Sequence, residues 1–533
     1  MNLKSLAASA AAITLLLGAT LSTGAQAAGS STIDGSKTAT IYIEKHKSPA
    51  GEPGDGKELS QAEKDKLAAP LPGAQFQATL VESFTNSAGT VRNLDLTTND
   101  GWLAATEFSD VWKAVLETTG VSKDANAFAN STNATLGATS KSGETDANGQ
   151  TQISNLKLGL YYVEEIKTPK NAVASAPFLV TLPYSDPDDA ASWLTDNNGY
   201  AVWIYPKNST YEVGKTVDDE DAVKIGDTVS YTITVDIPKE EKFKAFHISD
   251  TLDERLEYVD GSLEVSAISE DSTVATVPTS DYKLTKENKV AGAKQNIKIA
   301  WEGQGLIDLV DAWKGNIKGQ KAMNKITVTF KAKIVAKGEI KNSAEVYVND
   351  PDQQYDPGST TPEPTTTVYG DIAIHKADAK DATKLLAGAQ FKIYTNLADA
   401  KDAKNAIKDP ADNNKDWTVT TDSNGVATFE GIRFNIDGAK DQAGMQKYYV
   451  VEVKAPSEYQ LLAEPVEVQL VENDLQSPYV HNITIQNVNK SDLNGGNPFV
   501  LTGGAGRTAV YLGGALLIAA AAVLAVRRRV RQH

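Results

Sequence analysis

Two stretches of this chain repeat one another in order, and that repeat limits the folds open to it. Asp371-Ile372-Ala373-Ile374-His375-Lys376 is followed by Leu386-Ala387-Gly388-Ala389-Gln390-Phe391, and later by Tyr448-Tyr449-Val450-Val451-Glu452-Val453-Lys454-Ala455-Pro456. The same series stands earlier as residues 41–45, then Leu71-Pro72-Gly73-Ala74-Gln75-Phe76, then Tyr161-Tyr162-Val163-Glu164-Glu165-Ile166-Lys167-Thr168-Pro169. A series kept in order at this distance predicts one fold used twice. Its segments alternate with period two, as half-buried strands do. Residues 227–235 and 325–334, between the repeats, alternate in the same way. A chain of 533 residues exceeds a single core. The expectation is an all-β chain of three tandem β-sandwich domains.

The punctuation between strands predicts a few other features. Phe108, Val111, Trp112, Val115 and Leu116 recur at helical spacing, which predicts an inserted amphipathic helix over 109–118 capped by Ser109 or Asp110. The Ala, Asn, Thr and Ser-rich residues 123–145 read as a surface loop. Residues 350–367 hold four prolines and a threonine cluster, the composition of an extended linker.

The chain has no cysteine, which excludes disulfides, thiolate metal sites and thiol nucleophiles. Its five histidines fall in no metal-binding spacing, and no cofactor or metal is expected. A net charge of −17 argues against nucleic acid, since phosphate binding needs a concentrated cationic surface. Lys4, the apolar run 6–21 and Ala25-Gln26-Ala27 read as a signal peptide, residues 1–28. Residues 508–526 are apolar and precede Arg527, Arg528, Arg529 and Arg531. Such a span matches a bilayer core, with the basic residues 527–533 as a cytoplasmic tail.

Alternation also turns polar side chains inward. Lys376 shares parity with Ile372 and Ile374, Asn487 with Ile483 and Ile485, and Glu452 with Tyr448 and Val450. In the middle domain Lys215 shares parity with Val213 and Val217, Asp250 with Phe246 and Ile248, and Asn342 with Ile340 and Ala344. Burial favours a neutral amine and a protonated acid. A neutral lysine can attack the asparagine side-chain carbonyl while the acid polarises it, expelling ammonia and leaving an amide cross-link. Lys215–Asn342 with Asp250 and Lys376–Asn487 with Glu452 are the two complete sets. The alternative is that each lysine lies at a strand edge and snorkels to water. Lys45 and Glu165 hold the repeat-equivalent positions in the first domain, which makes Lys45–Asn208 a third candidate, with Pro206 as the feature against it.

From signal peptide to basic tail, this arrangement resembles the backbone (shaft) pilins of sortase-assembled Gram-positive pili. Val202-Trp203-Ile204-Tyr205-Pro206-Lys207-Asn208 looks like their pilin motif, with Trp193 as the tryptophan that opens its longer form. The segment 449–456 looks like their E-box, with Glu452 as its glutamate. The resemblance implies immunoglobulin-like domains in an elongated rod: CnaB-like over 29–208, CnaA-like over 209–350, and CnaB-like over 368–490 after a 351–367 linker. Residues 491–526 resemble a sorting signal with its transmembrane helix. The usual LPxTG pentapeptide is here Phe499-Val500-Leu501-Thr502-Gly503, which keeps only Thr-Gly. By this resemblance a sortase cleaves between Thr502 and Gly503 and joins Thr502 to Lys207 of another copy. The implied partners are other copies of the chain, pilus and housekeeping sortases, tip and base pilins, and a host or bacterial surface receptor. The implied location is a wall-anchored surface pilus, with only a transient C-terminal membrane anchor. A monomeric wall-anchored adhesin shares the domains and sorting signal but needs no acceptor lysine. No Gly-x-Ser-x-Gly elbow supports an enzyme.

Overall fold

The computed structural model describes residues 32–48, 54–118, 124–189, 192–240, 242–349, 359–360, 364–435 and 446–493. The expected signal peptide, the sorting residues Thr502 and Gly503, the apolar span and the basic tail lie outside them, as does most of the 351–367 linker. Among the described residues no helix is long and apolar enough to cross a membrane. The chain divides into two compact units, residues 1–367 and 368–533.

The first unit begins with a sheet in which Ala39–Glu44 is central, antiparallel to Gln150–Leu156 and parallel to Tyr200–Ile204. A second sheet runs Gln75–Thr85, Gly159–Lys167, Phe178–Leu182, with Ala134–Glu144 on the other side of Gln75–Thr85. Ile41, Ile43, Phe76, Tyr161, Val163 and Val202 form the core of this domain. The alternate residues Leu160 and Tyr162 face a second core with Phe108, Trp112 and Phe128. Gly159–Lys167 is therefore covered on both faces, and its burial is nearly continuous rather than alternating.

That second core corrects two expectations. The inserted helix runs Asn99–Thr118, ten residues longer than its apolar spacing alone suggested. Thr98 begins it, its hydroxyl accepting the Gly101 N–H at 3.1 Å, and Ser109 is buried mid-helix instead of capping. Residues 123–145 are not a loop: they carry the helix Ala125–Thr132 and the strand Ala134–Glu144. Asp124 caps the helix by accepting the Asn126 and Ala127 N–H groups, and Phe128 stacks on Tyr162 with ring centroids 4.1 Å apart. The strand is mostly exposed, so no apolar alternation marked it.

Glu164 sits at the edge of this second core, buried, with one hydrogen bond from Gln77 Nε2 at 3.0 Å to Oε1 and no bond to Oε2. Burial pushes its carboxyl up to about 7 from 4.5, reinforced by Asp124 and opposed by Gln77 and Lys141. A carboxyl raised on folding stabilises below its unfolded pKa and loses that contribution as pH rises through the folded value. The first domain is thus expected to lose on the order of a few kcal/mol between pH 4.5 and 7 relative to Glu164→Gln. Thermal unfolding of both proteins across that range tests this, and parallel curves would refute it.

The first unit continues with two antiparallel sheets. Thr228–Asp236 lies between Val213–Asp218 and Met323–Ile334, and Phe246–Leu252 between Gln295–Trp301 and Ala344–Val348. Asn342 ends the strand Gly338–Asn342. The chain then goes on as Ala344–Val348 beside Phe246–Leu252, so Asn342 stands just before that strand and not on it.

In the second unit Thr365–Asp378 is antiparallel to Val426–Arg433 and parallel to Val480–Asn487. Gln390–Tyr394 lies between Thr418–Thr420 and Tyr448–Lys454, with Val466–Val468 outside the latter. Strand order and direction match the first domain, as the repeat predicts. The first strand opens at Thr365, inside the stretch read as linker, because threonines are good strand formers as well as linker residues.

Candidate functional site

The repeat persists down to single hydrogen bonds around two lysines. Lys45 donates its backbone N–H to the Gly149 carbonyl at 2.7 Å and accepts from Leu71 N–H at 2.9 Å. Lys376 does the same with Gly425 and Leu386, both at 2.8 Å. Gly149 and Gly425 have φ of 74° and 69°, and a Cβ on them would lie 2.3 and 2.9 Å from the Lys45 and Lys376 carbonyl oxygens. Glycine is therefore required at both turns. Their sequence mark is a shared Asp-x-Asn-Gly, Asp146 to Gly149 and Asp422 to Gly425, which the alternation argument overlooked.

All three lysine side chains are fully buried together with their acids, so none snorkels to water. In the second unit Lys376 Nζ donates to Asn487 Oδ1 at 2.6 Å and to the Ile485 carbonyl at 3.1 Å. Glu452 Oε1 is 3.7 Å from Nζ. Asn487 Nδ2 donates to both Glu452 oxygens at 2.9 Å. Burial pulls the Lys376 ammonium down to about 8, against the opposing pull of Glu452.

In the middle domain Lys215 pairs with Asp250 Oδ2, and its Nζ lies 4.7 Å from the Tyr231 ring centroid. Burial lowers the lysine pKa and raises that of Asp250, in each case against the partner charge. Asp250 Oδ1 and both amide atoms of Asn342 are buried without a hydrogen-bond partner among the described residues. The Asn342 amide nevertheless lies near enough to Asp250 to favour its carboxylate.

The first domain brings its candidates together as well. Lys45 Nζ donates to Glu165 Oε2 at 3.0 Å and Asn208 Nδ2 to Glu165 Oε1 at 2.9 Å. Pro206 does interrupt the strand, but pairing resumes at Lys207–Asn208 against His46–Lys47, and Asn208 is fully buried.

Lys207 is half-exposed beside it. Trp203 and Tyr205 share the strand parity of Lys207, yet neither lies open beside it. Tyr205 is buried, its hydroxyl accepting the Leu59 N–H at 2.8 Å. Trp203 stacks on Tyr42 with centroids 4.7 Å apart and has Lys64 Nζ 5.1 Å above its ring, while its backbone N–H donates to the Gly56 carbonyl. Lys64 thus lies over the Trp203 ring, and the backbone of Leu59 meets the Tyr205 hydroxyl. Trp193 stacks on Trp102 at 5.5 Å.

Comparison with known proteins agrees with this architecture. Residues 36–209 match the family model described as Gram-positive pilin subunit D1, N-terminal domain, and residues 370–484 match SpaA, a prealbumin-like fold domain. Fimbrial subunit type 1 of Actinomyces viscosus is 32% identical, over 98% of this chain and 98% of its own. Fimbrial subunit type 2 of Actinomyces naeslundii is 30% identical over 99% and 97%. The full-length major pilin SpaD of Corynebacterium diphtheriae superposes with a TM-score of 0.54 at 26% identity, over 86% of this chain and 98% of that one. The major pilin SpaA of the same organism shares the fold, with a TM-score of 0.60 at 21% identity over 84% and 99%. With paired pilin domain models and fimbrial relatives along its full length, the chain belongs to the fimbrial-subunit family of Gram-positive major pilins, structural proteins of the cell-surface pilus shaft rather than enzymes.

Proposed function

We propose that this shaft subunit is polymerised covalently by a sortase, Thr502 of one copy to Lys207 of the next, and cross-linked internally at Lys215–Asn342, Lys376–Asn487 and Lys45–Asn208. The single observation that carries the internal cross-links is the burial of a lysine, an acid and an asparagine together, three times, in a chain without cysteine. An ion pair sealed in an apolar core is a weak source of stability. An amide formed from the same atoms removes both charges. Asp250, Glu452 and Glu165 act on the asparagine carbonyl, the neutral lysine attacks Cγ, the Cγ–Nδ2 bond breaks, and ammonia leaves. The solved major pilin SpaA of Corynebacterium diphtheriae, described as having a modular pilus assembly with stabilizing isopeptide bonds, has this fold.

In this reading residues 29–208, 209–350 and 368–490 are the working domains, and the 491–533 region delivers Thr502 to the enzyme. Cell-wall anchoring, tip and base pilins and a surface receptor complete the assembly. The full-length fimbrial relatives favour this over a monomeric adhesin.

Intact-mass measurement of the purified chain is expected to find it lighter than its sequence by one ammonia for each closed bond. Asp250→Ala and Glu452→Ala should each restore one. A mass equal to the unmodified chain would overturn the internal cross-links.

A further inference from the structure

The first and third domains share a backbone clasp just beyond each reacting asparagine. In the first, the chain after Asn208 is held by the chain after Glu165. Val173 N–H donates to the Ser209 carbonyl at 2.8 Å and Tyr211 N–H to the Asn171 carbonyl at 3.0 Å, around the bridge between Ala172 and Thr210. In the third, Gln460 N–H donates to the Val488 carbonyl at 2.9 Å and Lys490 N–H to the Glu458 carbonyl at 2.8 Å, around the bridge between Tyr459 and Asn489. Each clasp opens six residues past the acid and one past the asparagine. Each also turns on a residue of positive φ, Asn171 at 59° and Glu458 at 67°. Asparagine tolerates that region, but glutamate there is uncommon and persists only where the surrounding bonds over-determine it.

The clasp joins parts that the sheets leave separate. Lys376 and Asn487 stand on neighbouring strands of one sheet, whereas Glu452 comes from the other. Asn487 is the last residue of its strand, where an untied end frays. The clasp ties that end to the chain carrying the acid. Tyr459, buried at its centre, reaches the lysine strand as well: its hydroxyl donates to Asp378 Oδ2 at 2.8 Å, and Asp378 is the register partner of Asn487. The middle domain supplies the contrast. Among the described residues no such clasp follows Asp250, which instead pairs directly with Ala344. Where the clasp is present, the asparagine Nδ2 donates to its acid at 2.9 Å. Where it is absent, both amide atoms of Asn342 are buried without a hydrogen-bond partner among the described residues.

We propose that this clasp is a positioning element for the cross-link, holding the asparagine amide against its acid so that the lysine meets a fixed carbonyl. This rests on the cross-link reading above. The Nζ–Cγ bond forms and the Cγ–Nδ2 bond breaks as before, with ammonia leaving. The clasp moves no proton and touches none of the reacting atoms. Its contribution is placement, and a displacement of about 1 Å can cost roughly a hundredfold in rate.

Lys490 allows the clasp to be opened from the surface. It is exposed and begins the helix Lys490–Leu493, a position where proline is tolerated. Lys490→Pro deletes the clasp N–H, whereas Lys490→Ala removes the same side chain and keeps the N–H. Glu458→Gly keeps the accepting carbonyl and suits its φ. The test follows ammonia loss from each domain with time after cell-free synthesis of the full chain, by peptide mapping. Lys490→Pro should close Lys376–Asn487 about tenfold more slowly than wild type or slower still, with the other two bonds unchanged. Lys490→Ala and Glu458→Gly should close it at least as fast as wild type. Added to Lys376→Met, in which this bond cannot form, Lys490→Pro should move the melting temperature of the third domain by only a few degrees. A melting loss without slower closure marks a clasp that merely supports the fold, and overturns the proposal. Equal slowing by Lys490→Ala, which would assign the effect to the side chain, also overturns it. Absence of every ammonia loss from wild type overturns the cross-link reading, and the proposal with it.

Discussion

Replacing Lys376 by methionine is expected to lower the melting temperature of the third domain by roughly 15–30 °C and to open it to protease. The reacting residues stand 111 positions apart, on the domain's first and last strands, which lie side by side in parallel. Closing a loop of that length removes about 4.7 kcal/mol of chain entropy from the unfolded state, and each kcal/mol moves a domain of roughly 120 residues by about 3–6 °C. Methionine keeps most of the buried lysine stem, so the loss reports the bond and not a cavity. Differential scanning calorimetry and timed proteolysis measure the effect. A variant that melts within a few degrees of wild type and resists protease equally would show that the bond is absent or inconsequential. The placement matters for load as well as heat. A pull applied at the two ends of this domain runs into adjacent parallel strands, and a covalent link between them carries the force without unravelling the sheets.

Period-two alternation was sufficient to find the lysines, acids and asparagines, because a strand buried on one face admits only one orientation for each. Lys376, Glu452 and Asn487 are inward for the same reason as Ile374, Val450 and Ile485. Alternation failed where both faces of a strand are covered. Glu164 and Tyr162 face the helical insert, and nothing in the period distinguishes that second core from solvent. It failed also at the pilin motif, where Trp203 and Tyr205 share the parity of Lys207 but are half-buried and buried. Gly56 and Leu59 cover them through backbone groups and Lys64 through its amine, in a segment with no periodicity. Ser175 carries no periodic signal either: its two hydrogen bonds to Glu165 stand out only when the repeat is aligned ten residues beyond each acid, where Leu462 stands in its place.

Lys207→Ala and Lys207→Arg should both abolish the high-mass, SDS-resistant ladder in cell-wall extracts while leaving folding and all internal ammonia losses intact. The acyl group delivered by a sortase is already activated, so the acceptor need supply only a positioned, neutral amine. Arginine fails that requirement because its guanidinium stays protonated. Many lysines on this chain have the same chemistry, so position must select among them. Lys207 is half-exposed between Pro206, which fixes its backbone entry, and Asn208, which is buried and hydrogen-bonded to Glu165. Its two-residue strand is tied to His46–Lys47. Since Tyr205 is buried and Trp203 half-buried, the surface a sortase would meet beside Lys207 includes the residues packed on them as well as the Trp203 ring. Lys64→Ala, which removes the cation over Trp203 and its salt bridges to Glu44 and Glu58, should therefore weaken the ladder without abolishing it. A ladder of wild-type length from either Lys207 variant would mean that another lysine accepts the acyl group, and that the rigidity built around position 207 serves the fold alone.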